Sequence, residues 1–126
     1  MNIMAIAQDI NPFVAFLIGM VTIFIGIFAI LKPAFMSSKF GITVNGSALP
    51  YVISTGVRDV FMGLSVLVLA YQHEWKLLGA IQLLIGFVAI GDFLNVFKNG
   101  DKKTSLVHFA GAGAVFVYGT WLLIYY

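Results

Sequence analysis

Cysteine is absent from this chain of 126 residues, which excludes disulfides, thiolate chemistry and cysteine-based metal sites. Charge is scarce too: Asp, Glu, Lys and Arg make up 10% of the residues, against about 25% in soluble domains. The net charge of +2 and pI near 9.0 would suit a nucleic-acid partner if the basic residues formed a patch. The seven of them are scattered along the chain and form no patch or stripe, so no nucleic acid is expected as a partner. The first ten residues hold Asp9 and neither Lys nor Arg. A secretory signal needs a basic start, so the first apolar segment is expected to be a retained helix.

Apolar surface is what the chain has in excess. Hydrophobic residues amount to 61%, more than a single water-soluble domain of this length can bury. A lipid bilayer can accommodate them, because its hydrocarbon is a solvent for such side chains. Four stretches of about 18–22 residues are each long enough to cross about 30 Å at about 1.5 Å per residue. They are residues 12–31, 51–71, 75–97 and 104–125. The expected fold is therefore an all-α membrane protein, one four-transmembrane-helix bundle over residues 1–126. Pro12 suits the first turn of a helix, where no N–H is needed, and Lys32-Pro33 should stop the same helix. Ser47 is expected to cap the second span, and Thr104 or Ser105 the fourth. Tyr71, Trp75, Trp121, Tyr125 and Tyr126 at span ends predict an aromatic belt on one side.

Loop charge sets the expected direction. Lys32 and Lys39 lie in the first loop and Lys98, Lys102 and Lys103 in the third, whereas the second has only Lys76 beside Glu74. The positive-inside rule puts the first and third loops in the cytoplasm and both termini outside or in a lumen. The connector from Pro33 to Pro50, with Gly41 and Asn45-Gly46, reads either as an ordered or re-entrant lid or as a flexible link. Glycines recur seven apart at Gly19/Gly26, Gly56/Gly63 and Gly79/Gly86, and the last span adds Gly111, Gly113 and Gly119. Small residues at such spacings let helices approach closely in lipid, and a homodimer through these faces is compatible with them.

Arg58, Asp59, Asp92 and His108 fall inside the spans. A charged residue at a helix centre costs about 2.5–3.5 kcal/mol on insertion scales, so these groups should pair within the bundle. Arg58 is eight residues past Pro50, about 12 Å along its helix; Asp92 is six before Lys98, about 9 Å; His108 is five after Lys103, about 7–8 Å. Three helices thus bring ionisable groups to similar depth beneath the Lys-rich face. Thr55 lies one turn from Arg58 and Asp59, and Asn95 shares a face with Asp92. Arg58 is expected to bridge Asp59 and Asp92, with His108 beside one carboxylate. A bare ion pair fixing helix register is the structural alternative. His73 reads as a solvated loop residue, and Gln82 as an interhelical hydrogen bonder.

An Asp–Arg–Asp set suits acid–base work. One carboxylate, held ionised by the guanidinium, can activate a water or a hydroxyl, while the other, kept protonated by burial, donates to the opposite oxygen. Opening an epoxide needs such a base and acid on either side of a short C–O bond. No His pair sits at metal-ligand spacing, and no metal or cofactor is expected. The alternatives are a small ion, proton or metabolite carrier and a non-catalytic membrane accessory subunit. Against a carrier, the other half of the bundle offers only Gln82, Tyr118, Thr22 and Thr120.

The segments Gly56-Val57-Arg58-Asp59-Val60-Phe61-Met62-Gly63, Gly91-Asp92 with Lys98-Asn99-Gly100, and His108-Phe109-Ala110-Gly111 occur in an order that resembles a known family. It comprises the small four-helix membrane proteins grouped as domain-of-unknown-function family 4267, and the Phe40-Gly41-Ile42 step resembles it as well. The likeness covers most of the chain, although Phe109 stands where the family pattern has a small residue. It points to Arg58, Asp59, Asp92 and His108 as the site, and it implies epoxide opening or cyclisation. The expectation is an enzyme acting on a lipophilic small molecule. Asp92 is assigned as base and Asp59 as proton donor, the two being open to exchange. Arg58 would orient both, His108 would tune or relay protons, and Thr55, Asn95 and Met62 would contact the substrate.

Overall fold

A computed structural model describes residues 2–126. The first helix, α1, spans Ile3–Leu31 and is 29 residues long. It starts nine residues before the expected Pro12, because the Asn2 side chain accepts the Met4 amide at 3.1 Å and caps it there. Pro12 therefore lies inside the helix rather than in its first turn. The expected stop at Lys32-Pro33 holds: Lys32 leaves the helical region, and Pro33 opens the short helix α2, Pro33–Phe40, at its first position. Gly41 ends α2 with φ +109°, a left-handed conformation that glycine adopts without strain.

The connector is ordered. The Ser37 hydroxyl donates to the Ala34 carbonyl and its oxygen accepts the Val44 amide at 3.2 Å, folding the chain back on α2. A 3-10 turn at Gly46–Ala48 leads into α3, Leu49–Tyr71. Ser47 lies within that turn and does not cap α3, whose cap position is Ala48. A tight turn with His73 exposed at φ +58° leads to α4, Trp75–Asn99. The last helix, α5, spans Lys102–Tyr125. Its cap is Asp101, which accepts the Thr104 amide at 3.0 Å and the Thr104 hydroxyl at 2.6 Å; neither Thr104 nor Ser105 caps it.

Apolar side chains cover the outside of these helices. Phe13 is 77% exposed, Phe61 69% and Val117 72%, values that in water would mark an unstable surface and here mark the face toward lipid. Four helices long and apolar enough to span, α1, α3, α4 and α5, make the chain an integral multi-pass membrane protein.

Glycine seams bind the helices in two antiparallel pairs. A Cβ at Gly26 would sit 2.6 Å from the Gly56 carbonyl oxygen, and one at Gly63 2.6 Å from that of Gly19, so α1 and α3 touch backbone to backbone. Gly79 and Gly119 meet at 2.9 Å in the same sense on α4 and α5. Gly91, Gly111 and Gly113 have nothing within 4 Å, so on α5 only Gly119 joins a seam.

The pairs join at both ends. Opposite the connector, Ala15, Val66, Leu78 and Leu122 form a buried core drawn from all four spans. There the Asn11 amide donates to the Tyr126 hydroxyl at 2.6 Å, and Trp75, Trp121, Tyr125 and Tyr126 pack together, whereas Tyr71 is exposed and outside this cluster. Gln82 is fully buried on α4, but neither polar atom of its amide has a partner among the described residues, contrary to the expected interhelical bond. At the connector end the Asp101 amide donates to the Gly41 carbonyl at 2.8 Å. Between the pairs at that end lies a cavity of about 700 Å³.

Candidate functional site

Residues adjacent on a helix point about 100° apart, so Arg58 and Asp59 could not both face α4 without help. The long Arg58 side chain supplies it. Its Nε donates to Asp59 Oδ1 at 3.1 Å while the guanidinium fork reaches across to α4. There Nη1 meets Asp92 Oδ1 at 3.3 Å and Nη2 meets Asp92 Oδ2 at 3.1 Å, a bidentate pair that only arginine's planar fork can make. Nη2 also lies 3.1 Å from Asp59 Oδ1. The expected bridge from Asp59 through Arg58 to Asp92 is therefore present.

The two carboxylates are not equivalent. Both oxygens of Asp92 are taken by the guanidinium, and Asp92 does not line the cavity. Asp59 is the more buried, with 12% of its side chain exposed against 21% for Asp92, yet it lies on the cavity wall. Arg58 engages Oδ1 of Asp59 and leaves Oδ2 without a bond from it.

His108 comes to the same cavity from α5. Its Nε2 lies 2.8 Å from the Phe40 carbonyl oxygen, so its hydrogen bond is to the end of α2 and not to a carboxylate. Thr55 and Asn95 line the cavity as well. The Thr55 hydroxyl donates to the Tyr51 carbonyl at 3.0 Å and keeps a lone pair free. Asn95 Oδ1 accepts from Asn99 at 2.8 Å, which leaves its own amide hydrogens to donate. Met62 is not part of the cavity wall.

The remaining walls are mainly apolar: Ile25 and Ala29 from α1, Val52 from α3, Val107 from α5, with Met36 and Phe40 closing over from α2. Polar side chains, among them Lys39 from α2, Tyr51 from α3 and Thr104 from α5, interrupt these walls, the pattern of a site that orients a lipophilic molecule through a few polar contacts. Among the described residues no three His, Cys, Asp or Glu side chains come together to hold a metal ion. Sequence reasoning left out Phe40, whose contribution is a backbone carbonyl. Its one signal was the Phe40-Gly41 step, where a glycine suited to a left-handed turn ends a short helix.

Neither curated proteins nor solved structures returned a match to this chain. Residues 19–122 match the family described as Domain of unknown function (DUF4267), a span that holds both glycine seams and every residue of the site just described. The chain belongs to that family.

Proposed function

We propose that this protein is a membrane-embedded enzyme that opens an epoxide on a lipophilic small molecule by acid–base catalysis, as a hydrolase or a cyclase. The observation that carries the reading is Asp59, bound to a bidentately anchored arginine and standing on the wall of a mostly apolar cavity of about 700 Å³.

Charge counting gives the roles. One guanidinium balances one of two carboxylates, and the second completes a neutral cluster when it carries a proton. Asp92, with both oxygens on Arg58, is the anion of the pair. Asp59 is the group that holds a proton beside the cavity and donates it to the epoxide oxygen as the C–O bond breaks. This keeps Asp59 as donor and makes Asp92 the anchor of Arg58 rather than the base. Arg58 steadies the Asp59 carboxylate left after transfer. Thr55 and Asn95 offer an acceptor and a donor to the bound molecule.

The lysine-rich loops lie at the cavity end, and the same proposal puts that end in the cytoplasm with both termini across the membrane. A substrate dissolved in the bilayer then reaches the acid without leaving apolar surroundings. The test is incubation of the purified protein with lipophilic epoxides in ¹⁸O-labelled water, with mass spectrometry of the products. A diol carrying the label is expected for hydrolysis, and an unlabelled cyclic ether for attack by a hydroxyl of the substrate. An Asp59→Asn variant as active as wild type would sink the assignment of Asp59.

A further inference from the structure

Acid catalysis at Asp59 leaves open which group takes the proton of the attacking water or hydroxyl, and the following rests on the epoxide-opening reading. A carbonyl oxygen can only accept, so the 2.8 Å contact between Phe40 O and His108 requires the proton on Nε2. In a neutral imidazole the other nitrogen, Nδ1, then holds a lone pair. The Phe40 ring packs against the imidazole as well, centroids 4.5 Å apart and tilted by 57°. One residue thus holds the ring by its edge and by its face. His108 makes no other hydrogen bond among the described residues, and it lines the same cavity as Asp59.

Phe40 is itself held from α5. It is the last residue of α2, and the carbonyl of the next residue, Gly41, accepts the Asp101 amide at 2.8 Å. Gly100 lies so close beneath that carbonyl that a Cβ there would overlap it. Asp101 caps α5, the helix that carries His108 about two turns further on. The end of α2 and the helix bearing the imidazole are therefore pinned to one another through backbone atoms. From this same segment Met36, Ser37, Phe40, Ile42 and Val44 wall the cavity.

We propose that Nδ1 of His108 is the proton acceptor of the reaction, and that the Phe40 carbonyl, latched by Gly41 and Asp101, is the positioning group that makes it so. The base exists only while α2 is seated over the cavity. In the step, the attacking oxygen bonds to an epoxide carbon and passes its proton to Nδ1. The epoxide C–O bond breaks, and its oxygen takes the proton of Asp59. The imidazolium then returns a proton to the Asp59 carboxylate through water, which restores both groups.

The experiment is ¹⁵N NMR of the full chain in lipid nanodiscs at mildly alkaline pH. His73→Asn leaves His108 as the only histidine, and asparagine tolerates the positive φ at that site. The Nε2–H tautomer is expected, with a coupling across the hydrogen bond to the Phe40 carbonyl carbon. In Gly100→Ala, where the latch is displaced, mixed tautomers and a fall in kcat of about tenfold or more are expected. An Nδ1–H tautomer, an imidazolium, or no coupling to Phe40 would overturn the proposal, whether or not Gly100→Ala folds. An unchanged tautomer in folded Gly100→Ala would overturn the latch. Both signatures in a protein that opens no epoxide would defeat the reaction, and the acceptor role with it, while the coupling of α2 to the imidazole stands.

Discussion

Arg58 is held by two carboxylates from two helices, and that makes its neighbours unequal under mutation. Asp92→Asn keeps an acceptor for the guanidinium but removes the charge that anchors it. Turnover is expected to fall by about 100-fold or more while the protein still folds in detergent, as read by circular dichroism and gel filtration. Loss of folding would instead favour an ion pair that only fixes helix register. Gln82 tests the other half of the bundle. Its buried amide has no partner among the described residues, so Gln82→Met, close in shape and apolar, is expected to raise stability by about 1–3 kcal/mol in denaturant titrations. A loss of stability would mean that the amide is satisfied within the folded protein. These residues also show what sequence could carry. Arg58, Asp59, Asp92 and His108 were legible because charge and imidazole are costly in a bilayer and must converge. The lack of a partner for Gln82 was not, since a polar residue in a span says that a bond is wanted and not that one is made. Nor was the Phe40 carbonyl, because every residue has one.

Helix ends obey chemistry that hydropathy ignores. Spans were readable to within a few residues at Leu31 and Tyr71, where apolar runs stop against Lys-Pro or a turn. The start of α1 was not, because its cap, Asn2, lies well before the hydrophobic run. Asp101 was missed for a related reason: Thr104 and Ser105 are equally good caps by composition, and only the turn after Gly100 selects the aspartate. Bonds from the Thr104 hydroxyl and amide hold the Asp101 carboxyl below the ordinary carboxylate range. A group with a lowered folded-state value stabilises the fold above its unfolded value and loses that contribution as pH falls through the folded one. Asp101→Asn is therefore expected to lessen the acid sensitivity of α5, measured by hydrogen exchange at its first turn on either side of the ordinary aspartate range. The glycine seams give a second test at this scale. Gly26→Ala drives a methyl into the Gly56 carbonyl and is expected to destabilise by about 1–3 kcal/mol. Gly113→Ala, which meets nothing within 4 Å, should stay within about 0.5 kcal/mol.

At the scale of the molecule, two glycine-sealed helix pairs close against each other at one end and are bridged by α2 at the other, leaving the cavity between them. The four-helix bundle followed from four apolar runs. The pairing of α1 with α3 did not, because seven-residue glycine spacings appear on three spans and do not name their partners. Cavity shape was equally illegible, since it arises where the pairs part rather than from any run of residues. Val52→Trp, which fills that space, is expected to raise KM for a bulky epoxide about tenfold or more and to leave the Arg58 bridge intact. The most direct test of the whole account is turnover of lipophilic epoxides by wild type beside Arg58→Lys. Lysine keeps the charge but cannot form the bidentate fork to Asp92 or hold Asp59 with the same group. Turnover by wild type that Arg58→Lys loses by about 100-fold or more is the predicted result. Equal turnover by both proteins, or none by wild type on a broad panel, would contradict the account and direct attention to proton flux in liposomes.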